Sequence, residues 1–203
     1  MYIGSGDVKN LLAGKNTKYH ALLMQRFVSG EKPYYNALAS PIDALRTGAI
    51  LEDRYFLTLP DNYYQQHVEV CEEMNVLKAS IDFAKLDKGK VIDFDELKTC
   101  YFDDFLKFED FRGDNKKLIE YVKKKYKSNY EQVQQQLLCT GLNECNIVFL
   151  AVYTYEDEVN NIREIKENEY IKIRIYRDED VISRIKERAS IFQSIKDYYG
   201  IQH

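Results

Sequence analysis

The stretch KASIDFAKLDKGKVIDFDELKTC, residues 78 to 100, commits the chain to one local structure before any other segment is considered. Two alternating runs flank Asp87-Lys88-Gly89-Lys90, a turn sequence in which glycine supplies the positive φ that tight hairpins require. Counting outward from a three-residue loop, with Asp87 facing Val91, sets Asp82 directly opposite Glu96. Strand side chains alternate between faces, so Glu96 and Lys98 share the phase that Ile92 and Phe94 use for packing. That face begins apolar and turns ionic at its end, which is costly unless the charges are paired, metal-bound or reached by water. The other phase is mixed as well, with Asp93 and Asp95 ahead of Leu97.

The rest of the chain surrounds this hairpin with helices and further strands. Ser5 or Asp7 can cap a short helix through Leu12 that stops at Gly14, and a second helix is predicted from Thr17 to Val28. After a loop over SGEKPYYNALAS, Ser40-Pro41 is a helix start, a capping hydroxyl followed by the proline that suits a first turn. The helix continues through IDALRTGAILEDRYFLTL to Pro60 and carries Gly48 and Glu52 on one face, four residues apart. QQHVEV reads as a strand ahead of the hairpin. LIEYVKKKYKSNYEQVQQQLLCTGL reads as one long helix ended by Gly141. NIVFLAVYTY and EYIKIRIYR are strands, and Asp178 to Tyr199 is a final helix with Val181, Ile182, Ile185, Ala189, Phe192 and Ile195 as its apolar stripe. The expected class is α/β (α+β), a central mixed sheet flanked by helices, in a single domain over residues 1–203.

Composition narrows the function. With 29 Lys and Arg against 33 Asp and Glu, the formal charge is −4, so any nucleic-acid contact must be local. Cys71, Cys100, Cys139 and Cys145 form no C-x-x-C pair, which argues against a zinc knuckle or a disulfide framework and for reduced thiols in the cytoplasm. No apolar run is long enough to span a bilayer. The basic segment NKKLIEYVKKKYK could track a DNA backbone, although a solvated helix face is the simpler reading.

Asp82, Glu96 and Lys98 make a set of hard oxygen ligands beside an ammonium group. Such carboxylates favour Mg²⁺ or Mn²⁺ over zinc, and a bridging cation would reverse the cost of like charges across the hairpin. Metal-assisted phosphodiester hydrolysis is the chemistry these parts suit. From spacing alone, a surface hairpin with ordinary charges competes with that reading.

The order of motifs decides between them. GSGDVKNLLAG, LRTGAILED, SIDFA followed by DELKT, and QVQQQLLCTG resemble, in order and spacing, the PD-(D/E)xK nuclease superfamily with its restriction-endonuclease-like core. The pattern is most similar to the phage-type recombination exonucleases of the YqaJ and lambda exonuclease group, over residues 4 to about 155. The resemblance implies that Asp82 and Glu96 bind Mg²⁺ or Mn²⁺ with the Leu97 carbonyl, and that Glu52 serves a second ion. It implies that Lys98 orients the attacking water and that Gln134 supports Lys98 or the scissile phosphate. It further implies a DNA exonuclease acting 5′ to 3′ on linear duplex ends, a single-strand annealing partner and a ring-shaped homotrimer. The family's arginine ahead of the opening helix has no counterpart before Ser5, so only a modest preference for 5′-phosphorylated ends is expected. An endonuclease or single-strand nuclease on the same core, and a catalytically silent DNA-end-binding protein, are the alternatives.

Overall fold

The computed structural model describes residues 2–30, 42–154 and 164–199. The hairpin forms its centre. Strands β3 (Leu77–Asp87) and β4 (Lys90–Tyr101) are joined by a two-residue turn in which Lys88 and Gly89 have φ of 49° and 78°. Both central residues are left-handed, the geometry that matches the twist of the flanking strands. Asp87 therefore faces Lys90 and not Val91, which corrects the three-residue loop. The register then shifts between Lys85 and Leu86, so that Leu86 faces Val91 while Lys85 faces Asp93. Ile92 is the extra residue of this bulge and is 47% exposed, while Phe94 is fully buried. One residue fewer in the turn and one more in the strand cancel, so Phe83 faces Asp95 as the longer loop would also require, and the backbone pairing of the two strands ends there, one residue short of Asp82 and Glu96.

Around the hairpin lies a mixed six-stranded sheet of order β1-β3-β4-β5-β6, with β2 also pairing β3. β1 (Ile3–Gly4) joins β3 in parallel and β2 (Tyr63–Val70) joins it antiparallel. β4 pairs β5 (Glu144–Val152) in parallel, and β5 pairs β6 (Tyr170–Tyr176) antiparallel. β5 is buried from Cys145 to Val152, the near-continuous apolar run of a strand covered on both faces.

Seven α-helices among the described residues cover the sheet: α1 (Val8–Leu11), α2 (Lys18–Ser29), α3 (Ile42–Phe56), α4 (Phe102–Glu109), α5 (Asn115–Lys125), α6 (Lys127–Thr140) and α7 (Glu179–Tyr199). One core joins Ile81, Phe94, Ile147 and Phe149 to Leu11, Phe108, Val133, Leu137, Ile182 and Phe192 of the helices. A second, on the other face, joins Phe83, Leu97, Val148 and Leu150 to Leu51 and Tyr55 of α3.

Several expectations shift for local reasons. The long helix predicted through LIEYVKKKYKSNYEQVQQQLLCTGL is two helices, broken at Tyr126, whose φ of −118° and ψ of 42° leave the helical region. Its ring lies 4.6 Å from that of Phe149 and 5.6 Å from that of Phe108, and this aromatic packing outweighs helix continuity. Gly141, at φ 71°, ends α6 as expected. Thr17 caps α2 by accepting from the His20 N–H. α4 and the short β1 have no counterpart among the predicted elements. The Ser40-Pro41 helix start lies outside the described residues. All four cysteines are buried free thiols, and no helix among the described residues is long and apolar enough to cross a membrane.

Candidate active site

The sheet forks at Asp82. Up to Phe83 and Asp95 the hairpin strands are paired to each other, and from Asp95 onward β4 is paired in parallel to β5. At the fork the Leu97 N–H donates to Asp82 Oδ2 at 2.9 Å, so a carboxylate takes the hydrogen bond of the peptide next to Glu96. Glu96 is 1% exposed and accepts three donors on two oxygens. Lys98 Nζ and Gln132 Nε2 reach Oε1 at 2.6 and 2.5 Å, and Gln136 Nε2 reaches Oε2 at 2.6 Å. Gln136 Nε2 also donates to the Ser80 carbonyl at 2.8 Å, binding α6 to β3 beside Asp82.

The glutamine run of α6 divides according to helical spacing. Gln132 and Gln136, four residues apart, share the face over Glu96. Gln134 faces elsewhere: its Nε2 donates to the Tyr176 carbonyl at 3.0 Å, and its Oε1 accepts from the Asp178 N–H at 2.7 Å. The role expected for Gln134 beside Lys98 therefore has no support in its position, since its amide is committed to the end of β6 and to the residue before α7. Gln132 and Gln136 are the glutamines at the site. Gln135 joins β1 to β3 by donating to the Ile3 and Lys78 carbonyls, both at 3.1 Å.

Charge at the fork is under-compensated. Burial and the neighbouring Glu96 push the Asp82 carboxyl up to about 8, against the pull of Lys98. Burial alone would lower the Lys98 ammonium, but Glu96, Asp82 and Glu52 together hold it above its ordinary value. Glu52 is raised by burial, with Lys98 opposing and Glu96 and Asp53 adding to the rise. Glu52 thus comes from α3 into the field of the hairpin trio, and its Oε2 accepts from Gln66 Nε2 of β2 at 3.3 Å.

A consequence for stability follows from Asp82. Its folded value lies far above the ordinary carboxylate value near 4, so the neutral form favours folding. That contribution is full below about pH 4 and is lost progressively as pH rises toward 8. In EDTA, the melting temperature should fall between pH 5 and pH 8.5, and Asp82→Asn should remove that fall. Taking the contribution as on the order of 2 kcal/mol, the two proteins should differ by about 5 °C at pH 8.5. Parallel melting curves for the two would show that Asp82 is not the titrating group.

The opposite phase of β4 also carries charge, and its carboxylates are paired. Asp95 is fully buried and accepts from the Tyr55 hydroxyl at 2.8 Å and Asn146 Nδ2 at 2.7 Å, with Lys172 Nζ at 2.7 Å. Arg174 holds Asp93 and Glu144 at 2.9 and 2.5 Å. A strand covered on both faces can carry carboxylates on both only where each finds partners. This network stands on the far face from Glu96.

The basic helix is largely compensated. Lys117 pairs Asp114, Lys123 pairs Asp178, Lys125 pairs Asp104 and Lys127 pairs Glu131, at 3.3, 2.8, 3.4 and 3.8 Å. Arg26 of α2 pairs Asp7 at 2.6 Å.

No sequence-family model and no curated relative matches the chain. Solved structures do. The alkaline exonuclease LHK-Exo from Laribacter hongkongensis matches with a TM-score of 0.60 at 16% identity, over 98% of this chain and 89% of that one. The chain has the fold of this exonuclease. LHK-Exo in complex with dAMP matches at a TM-score of 0.60 and 18% identity, with the same coverage. A phage-related exonuclease from Haemophilus somnus 129PT matches at 0.58 and 15%, over 98% of this chain and 95% of that one. The observed mixed sheet flanked by helices is accordingly the fold of these solved exonucleases.

Whether the residues present suit a divalent ion can be judged from the donors. Among the described residues, no three His, Cys, Asp or Glu side chains converge at ligating distance. Mg²⁺ commonly takes one or two carboxylates and keeps several waters, a set that Asp82 and Glu96 can supply together. The raised Asp82 carboxyl marks a surplus of negative charge that such an ion would relieve. The donor set suits a divalent ion that prefers oxygen ligands.

Proposed function

We propose that the chain is a Mg²⁺-dependent (or Mn²⁺-dependent) DNA exonuclease that degrades linear duplex from its ends. The observation that carries this reading is the meeting of Asp82 and Glu96 at the sheet fork, with Lys98 on the same strand face as Glu96, in a fold shared with alkaline and phage-related exonucleases. Asp82, Glu96 and the Leu97 carbonyl would hold a first ion and Glu52 would serve a second, and an ion there would supply Lewis-acid polarisation of the phosphate and a more acidic water.

The protein's own groups do the rest. Gln132 and Gln136 fix both oxygens of Glu96, so its orientation does not depend on the substrate. Lys98, kept as an ammonium by three carboxylates, hydrogen-bonds the attacking water and neutralises charge that builds on the phosphate. Degradation 5′ to 3′, a homotrimeric ring, a single-strand annealing partner and action in the cytoplasm complete the proposal, by likeness to the phage-type recombination exonucleases.

The test uses end-labelled linear duplex and covalently closed circles, each with Mg²⁺ and with EDTA. Linear DNA should disappear only with Mg²⁺, and the circles should persist. Rapid Mg²⁺-dependent cutting of closed circles would establish an endonuclease instead.

A further inference from the structure

The middle of β2 contains a conformational exception. Gln66 has φ of 54°, a left-handed backbone that residues other than glycine seldom adopt inside a strand. Its place is not incidental. Gln65 faces Phe83 and His67 faces Ile81, so Gln66 stands level with Asp82 on the neighbouring strand.

The twist changes what β2 can reach. Adjacent strand residues ordinarily point to opposite faces. Here Gln65 Nε2 donates to Asp53 Oδ1 and Gln66 Nε2 donates to Glu52 Oε2, both at 3.3 Å, so consecutive side chains meet consecutive residues of the same helix. Gln66 is exposed at a sheet edge, where a regular strand could have placed any polar side chain without strain.

We propose that Gln66 is a positioning residue of the metal site: its left-handed backbone aims the side-chain amide at Glu52 and holds that carboxylate toward Asp82 and Glu96. The inference rests on the nuclease reading above and adds a residue to it. Backbone strain that persists at a site is expected to serve the site. The competing account is that a twisted residue merely blunts an edge strand against association. The two accounts differ in what happens when the amide is removed and the strain with it.

Gln66→Gly does both, since glycine accepts a φ of 54° without penalty. Mn²⁺ binding is measured by calorimetry, alongside melting temperature, for the wild type, Gln66→Gly, Glu52→Gln and the double variant. A positioning role predicts that Gln66→Gly melts at or above the wild-type temperature yet binds Mn²⁺ about 3- to 10-fold more weakly. In the Glu52→Gln background the same change should cost less than twofold. If Gln66→Gly binds within twofold of wild type while Glu52→Gln binds weakly, the positioning role is wrong and the nuclease site stands. Equal losses in both backgrounds would also overturn it. A Glu52→Gln protein with wild-type affinity would remove Glu52 from the ion, and the role of Gln66 with it, while a normal loss in Asp82→Asn would leave the Asp82–Glu96 site in place.

Discussion

Asp82→Ala and Glu96→Ala should each reduce DNA cleavage to background, a loss of about 10³-fold or more if the bound ion supplies roughly 4 kcal/mol of transition-state stabilisation. Their effects on folding should have opposite signs. Asp82 is a buried carboxyl raised by its neighbours, so its removal relieves repulsion and costs one hydrogen bond, that of the Leu97 N–H. The metal-free Asp82→Ala protein should melt at or above the wild-type temperature near pH 8. Glu96 is the acceptor for Lys98, Gln132 and Gln136, and alanine there leaves three donors without it. Gln136 keeps the Ser80 carbonyl, but losing the acceptor shared by the other two donors costs about 1–3 kcal/mol, so Glu96→Ala should be less stable, and Glu96→Gln is the better probe of activity in an intact fold. End-labelled duplex degradation and thermal melting check both halves. Near-normal cleavage by Asp82→Ala, or by a folded Glu96→Gln, would remove the hairpin from the site.

Lys98→Ala should slow turnover at saturating Mg²⁺ on the order of 10²–10³-fold, the usual scale for deleting one electrostatic contact to the transition state. The Lys98 Nζ lies 2.6 Å from Glu96 Oε1, on an oxygen that a metal ion would also use. Its removal should therefore leave Mn²⁺ affinity unchanged or tighter, while the Asp82 carboxyl, deprived of its nearest compensating cation, should rise further. The decisive comparison is single-turnover cleavage against calorimetric Mn²⁺ binding. A collapse in Mn²⁺ affinity with unchanged chemistry at saturation would make the lysine structural.

The parts of the site carried by periodicity were legible in the sequence. The shared face of Glu96 and Lys98 and the pairing of Phe83 with Asp95 depend on alternation within one hairpin, and the bulge at Ile92 preserves that offset although the turn has two residues and not three. A turn-and-bulge pair of this kind leaves no local signature beyond Lys88-Gly89. Gln134 was legible only as one of several glutamines on α6. Which of them looks at Glu96 depends on the rotation of the helix, and that is fixed by Val133 and Leu137 in the core, far from the hairpin in sequence. Gln66 carried no signal at all, since a left-handed backbone at a glutamine follows from tertiary packing and not from side-chain propensity. Asp95 was noticed as an anomaly within the strand pattern. Its explanation required knowing that Tyr55, Asn146 and Lys172, from three other elements, would surround it.

The amide donors that orient Glu96 lie on α6, and three helices separate β4 from its parallel neighbour β5. A chain leaving the ribosome exposes the hairpin first, and its two carboxylates then stand without the glutamines that orient one of them. Only after Gln136 has emerged and α6 has docked can the fork close around Glu96. Pairings this distant in sequence form late, after the ends of the intervening segment have been brought together. A fragment ending before α6 would carry the two hairpin carboxylates without Gln132 and Gln136, the amides that orient Glu96.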